Sequence, residues 1–189
     1  SAQRDSADLI DRYHGKGRNY YALTPRFAPT SSSAQMAALG ELAQQYEDVF
    51  IQTHLSENHD EIAWVKTLYP ECEDYLAVYE KYHMVRPRAI YGHCIHLSDS
   101  EWQRMADSGA IAAFCPTSNL FLGSGLFEMS KAEKFGVPVT LATDVGGGTS
   151  FNLLRTLGEA YKICQLRNYS CSSRPFKTPP PTNRCLAHH

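Results

Sequence analysis

The feature that most constrains this chain is an alternation of two patterns. Short apolar, β-branched segments recur along it, and stretches with helical spacing separate them. RNYYALTPRF (18–27) reads as a strand and its exit, VFIQTH (49–54) as a second strand and RAIYGHCI (88–95) as a third. AIAAFCP (110–116) and VPVTLATD (137–144) read as a fourth and a fifth. Between the first two lies SSSAQMAALGELAQQYED (31–48), with serines suited to capping and Met36, Leu39, Ala43 and Tyr46 on one helical face. DEIAWVKTLYP (60–70) is helical and stops at Pro70, and YLAVYEKYHM (75–84) is a shorter helix. SDSE (98–101) has capping-box spacing and opens a helix that Gly109 closes. LFEMSKAEKFG (126–136) and SFNLLRTLGEAYKICQLRN (150–168) complete the series.

Apolar strands separated by helices pair in parallel and are covered by those helices. The predicted class is α/β, a partial (β/α)8 barrel of TIM type with about five βα units. A complete barrel takes about 250 residues, and this chain has 189. Residues 1–168 form the expected barrel segment. Residues 169–189, with four of the ten prolines and no acid, are expected to be an irregular tail.

Charge narrows the function classes. All 20 acidic residues lie at or before Glu159, against 13 basic ones there, so the body is acidic. That argues against a nucleic-acid platform. No apolar run has the length of a membrane span, and no leader pattern opens the chain. Six cysteines without a C-x-x-C pair are expected to be reduced thiols in a cytoplasmic protein.

Parallel βα folds carry their sites at the carboxyl ends of the strands. There the five strands deliver PRF, THLSE, GHCIH, CPTSN and TDVGGG. Each piece alone has a plainer explanation. His54 could be a hydrogen-bonded structural histidine, Glu57 a solvated acid, His93 or His96 packed, Asp144 a turn former and GGG a phosphate loop without its lysine. Together, His54, Glu57, His93 and Asp144 are groups that bind or serve zinc, all at one end of successive strands. Zinc lowers the pKa of a bound water to about 7. Glu57 could then shuttle a proton, His93 hold the water, and Asp144 bind metal and accept a proton.

The motifs HLSE, GHCIHLS, CPTSNLFLGSG and LATDVGGG, in that order, resemble the metal-dependent amidohydrolase superfamily. RYHGKGRNYYALTPRFAPTSS (12–32), with its PRF, is similar to the guanine deaminases within it. The resemblance implies hydrolysis of guanine to xanthine and ammonia with one Zn2+, held here by His54 and Asp144. It implies Glu57 as proton shuttle and His93 at the water, with Asp144 sharing in catalysis. Arg26 would meet the guanine carbonyl oxygen and Phe27 the purine ring, with His54, Glu57 and Asp144 lining the reacting end of the substrate. An arginine donor suits that oxygen, because adenine carries a donor in its place. The parent enzyme would be a homodimer working without nucleic acid or membrane. The superfamily also carries an H-x-H pair on its first strand and a small β domain. Neither pattern occurs here, so the 189-residue chain alone is expected to be inactive. Other deaminases of a purine, pyrimidine or triazine ring, and a non-catalytic scaffold, are the alternatives.

Overall fold

The structure, a computed structural model, describes residues 2–171. Five parallel strands lie in sequence order, each beside the next: β1 (Ala22–Leu23), β2 (Phe50–Leu55), β3 (Ala89–His93), β4 (Ile111–Phe114) and β5 (Val139–Leu141). Parallel neighbours in sequence order are what a barrel wall requires. The order leaves β1 and β5 as edges, and β5 is only half-buried or exposed. β4, inside the sheet, is buried at three of its four residues.

The helices are α1 (Ala2–Tyr13), α2 (Ser33–Gln45), α3 (His59–Leu68), α4 (Tyr75–Lys81), α5 (Asp99–Ser108), α6 (Pro116–Leu122), α7 (Met129–Phe135) and α8 (Leu153–Cys171). Side-chain chemistry sets several of their starts. Ser32 caps α2 through the Gln35 amide, Asn58 caps α3 and Asp74 caps α4. Ser98 and Glu101 form the full capping box of α5, and Gly109 ends it in the left-handed region that glycine adopts freely.

The core is apolar and continuous. Ile51, Leu55, Ala89, Tyr91, Ala112 and Phe114 are buried on the central strands. Phe114 stacks on Phe127 at 4.6 Å, and Trp102 meets Phe127 edge-on at 6.0 Å. Cys72, Cys94 and Cys115 are buried thiols outside any disulfide. Among the described residues no helix is long and apolar enough to cross a membrane.

Four expectations shift. The first strand shrinks from 18–27 to Ala22–Leu23, because Pro25 has no N–H to continue the ladder and a 3-10 turn follows at Ala28–Thr30. The helix expected over 75–84 stops at Lys81, as the chain turns through His83 at positive φ. The end of the fourth strand becomes α6, since Pro116 suits a first helical turn and Gly123 closes it. Helix α8 carries three residues past the 168 boundary, and the rest of the expected tail lies outside the described residues.

Candidate metal centre and substrate pocket

Two strand ends bring the histidines together. His54 is the fifth residue of β2 and His93 the last of β3, with Leu55 paired to His93 in the register. Their rings lie 5.2 Å apart, tilted by 30°. Asp144 comes from the loop after β5. One ligand atom each from His54, His93 and Asp144 falls within 4.8 Å of the others, a set suited to a single metal ion. Ser56, His93, Cys94 and Asp144 all have positive φ, from 44° to 72°. Non-glycine residues in that region cost about 1–3 kcal/mol each and cluster where a site needs the chain turned. The turns are held by backbone bonds: the Cys94 amide donates to Leu55 at 2.9 Å, and the Ile95 and His96 amides to Ser56 at 3.2 Å.

The His54 ring is oriented from behind. Its Nδ1 lies 2.6 Å from the Arg26 carbonyl oxygen, which also accepts from the His54 amide at 3.3 Å. A carbonyl only accepts, so Nδ1 carries the hydrogen and Nε2 keeps its lone pair. An anchored Nδ1–H with a free Nε2 is how metal-binding imidazoles are commonly held. Tyr79 of α4 supports the same strand end, donating to the His54 carbonyl at 2.8 Å and accepting from the Ala28 amide at 3.1 Å.

Glu57 is held at both backbone and side chain. Ser124 donates its hydroxyl to Glu57 Oε1 at 3.0 Å, and Glu57 Oε2 lies 3.7 Å from His93 Nε2. The Glu57 amide donates to Glu61, which also accepts from Tyr75 at 2.7 Å. Burial raises the Glu61 pKa above its ordinary value, against the bond from Tyr75. Burial lowers the His93 pKa; Glu57 and Asp144 oppose it and His54 adds to it. His93 is 1% exposed, with Asp144 Oδ2 4.0 Å from Nε2.

Two of the three glycines in this loop, Gly147 and Gly148, leave no room for a side chain. A Cβ at Gly147 would fall 2.9 Å from Ser118 Oγ and 3.2 Å from Asp144 Oδ2. A Cβ at Gly148 would overlap the Thr143 carbonyl oxygen. Side chains there would push Asp144 off the site.

Beside the His54–His93–Asp144 cluster lies a pocket of about 360 Å³ lined by Arg26, Phe27, His54, Glu57 and Trp64 among others. Phe27 packs 5.7 Å from the His54 ring, and the Arg26 guanidinium sits 5.2 Å from the Phe27 ring centre. All six expected site residues therefore lie at one end of the sheet: Arg26, Phe27, His54 and Glu57 in the pocket wall, His93 and Asp144 clustered with His54. His96, the other histidine of GHCIH, packs against His59 at 4.0 Å with the rings tilted by 35°, and bonds to the Ser124 carbonyl. Trp64, Tyr79, Asn119 and Ser124 were not singled out from sequence. CPTSN and FLGSG do hold Asn119 and Ser124, but nothing in their spacing says what they touch.

Residues 2–178 match the model of the amidohydrolase family. The guanine deaminase of Escherichia coli K12 is 51% identical over 173 residues, which make up 92% of this chain and 39% of that protein. The probable guanine deaminase of Deinococcus radiodurans is 41% identical over 165 residues, 87% of this chain and 38% of the relative. The solved structure of the E. coli enzyme superposes with a TM-score of 0.87, covering 89% of this chain and 39% of that one. That of the C. acetobutylicum guanine deaminase, with guanine in its active site, gives 0.85 at 32% identity, covering 94% and 43%. This chain thus spans about two fifths of the length of these relatives. With the parallel wall, the clustered ligands and a family match over most of its length, the chain belongs to the amidohydrolase family.

Proposed function

We propose that this chain supplies five βα units of a zinc amidohydrolase that converts guanine and water to xanthine and ammonia. The observation that carries the proposal is the His54–His93–Asp144 cluster beside Glu57, opening into the Arg26–Phe27 pocket. The identities to guanine deaminases support the choice of substrate.

His54 Nε2 and a carboxylate oxygen of Asp144 would hold the zinc; their type and approach fit it. Bound there, zinc supplies Lewis acidity that makes water nucleophilic near neutral pH. Glu57 takes a proton from the attacking water and passes it to the departing amino nitrogen, steadied by the Ser124 hydroxyl. His93, whose burial lowers its pKa, faces the same oxygen and stabilises charge that builds on it. The Arg26 guanidinium donates to the guanine carbonyl oxygen, and Phe27 lies against the purine. Adenine would present an N–H group to Arg26 and leave that donor unpaired.

H-x-H occurs nowhere in the chain, so any further zinc ligands would have to come from outside these residues. Zinc content and xanthine formation should be measured on this chain alone and joined to the remaining strands of its relatives. Activity is expected only in the joined protein. Turnover by the 189-residue chain alone, or a joined protein that binds zinc yet ignores guanine across a panel of ring amines, would contradict the proposal.

A further inference from the structure

The two site histidines are anchored by opposite chemistry. Behind His54 stands a carbonyl oxygen, which fixes a hydrogen on Nδ1. Behind His93 stands the Asn119 side chain, with Nδ2 2.9 Å from His93 Nδ1. Asn119 is 1% exposed, on α6, and its Oδ1 is buried with no partner among the described residues. An amide nitrogen only donates, so His93 Nδ1 must present its lone pair. The single hydrogen of the neutral ring then sits on Nε2. The far edge of the ring asks for the same arrangement, since Nε2 faces carboxylate oxygens of Glu57 at 3.7 Å and Asp144 at 4.0 Å.

We infer that Asn119 is a positioning residue that fixes His93 as the Nε2–H tautomer, so that His93 donates a hydrogen bond to the reacting oxygen instead of ligating the metal. A nitrogen that carries hydrogen has no lone pair for a cation. His93 lies as close to the ligand cluster as His54 does, so proximity alone does not separate their roles. The group behind each ring does. The inference deepens the deaminase proposal and takes the meaning of the Nε2–H group from it, while the tautomer itself can be read without any activity.

The test is long-range 1H–15N correlation NMR on the 189-residue chain labelled with 15N-histidine, metal-free, above the pH at which the rings titrate. His93 is assigned by loss of its signals in His93→Gln. Its Nδ1 is expected to be bare and its Nε2 protonated, with His54 showing the reverse. In Asn119→Asp the carboxylate accepts, so the His93 hydrogen should move to Nδ1 and expose Nε2 to the metal. Zinc binding by that variant chain should tighten by about tenfold, the scale on which a supporting partner alters metal affinity. A purely structural asparagine would weaken binding instead. A protonated Nδ1 on His93 in the parent chain, or an unchanged tautomer in Asn119→Asp, overturns the inference. If Asn119→Asp does not fold, the parent spectrum decides. A correct tautomer in a joined protein that fails to deaminate guanine would refute the function and leave the Asn119 assignment standing.

Discussion

Two histidines sit at opposite ends of β2, and the difference between them shows what makes an imidazole functional. At the amino end, His14 has both nitrogens consumed by the protein. Its Nδ1 accepts from the Tyr21 amide at 2.9 Å, and its Nε2 lies 3.1 Å from Asp48 Oδ2. Arg86 and Arg88 close the same end by donating to the Val49 and Asp48 carbonyls. His14, Asp48, Arg86 and Arg88 are each tied to a neighbour there, with the buried Arg86 Nε left without a partner among the described residues, and the product is a tied seam. At the carboxyl end, His54 has one nitrogen tied to Arg26 and the other left open toward Asp144 and His93. The backbone around it is turned through positive φ to keep those groups aimed at one point. A histidine with both nitrogens satisfied holds structure; one with a single nitrogen anchored is ready for a ligand.

The sharpest way to break the comparison is to exchange the consequences at the two ends. His54→Ala in the joined protein should abolish zinc retention and turnover. Its effect on zinc affinity should exceed the about 10–100-fold that loss of a supporting partner produces. His14→Ala should leave zinc content unchanged, by metal analysis of the same preparations. Next in size is Glu57→Gln, which should lower kcat by about 10²–10⁴ while zinc stays bound. Steady-state kinetics beside metal analysis separate these outcomes, and zinc loss in Glu57→Gln would assign Glu57 to the ligands instead. Arg26→Met should reduce kcat/KM for guanine by about 10–100-fold, the scale of one hydrogen bond to a charged donor. It should also narrow the preference over amino-purines lacking the carbonyl, in competition assays.

The smallest effect lies at the amino end. The hydrogen bond from His14 holds the Asp48 carboxyl below its ordinary value of 3.8. A carboxylate with a depressed folded pKa stabilises the fold above its unfolded pKa and loses that contribution as pH falls through the folded value. Asp48→Asn should therefore remove a slight acid sensitivity below about pH 4 and change nothing at neutral pH in zinc or turnover. Thermal melts across that pH range would show it. A change in metal content would mean the two ends are coupled after all.

Much of the wall was legible because its signals are local. β3 to β5 fall inside the apolar runs that mark them, β2 overruns its run by Leu55 alone, and Ser98, Glu101 and Gly109 bound α5 as their chemistry dictates. The convergence of His54, Glu57, His93 and Asp144 was legible too, since a parallel wall brings all strand ends to one side. α1 was missed even though Asp5 sits in its first turn, and α6 was missed despite Pro116 and Gly123 at its ends. The supporting partners were out of reach. Ser124 and Glu57 are 67 residues apart, and Asn119 and His93 are 26 apart. Nothing in the residues around Asn119 says that its amide will meet an imidazole, because that contact depends on how α6 packs after β4. The carbonyl of Arg26 is harder still to foresee, since it belongs to the backbone and any residue there could supply it.

The most direct test is anomalous X-ray diffraction at the zinc edge from crystals of the joined, zinc-loaded protein. A single peak bonded to His54 Nε2 and an Asp144 oxygen, with His93 and Glu57 facing it but unbonded, is the expected result. A peak bonded to His93 in place of His54, or zinc held away from the ends of β2 and β3, would contradict it.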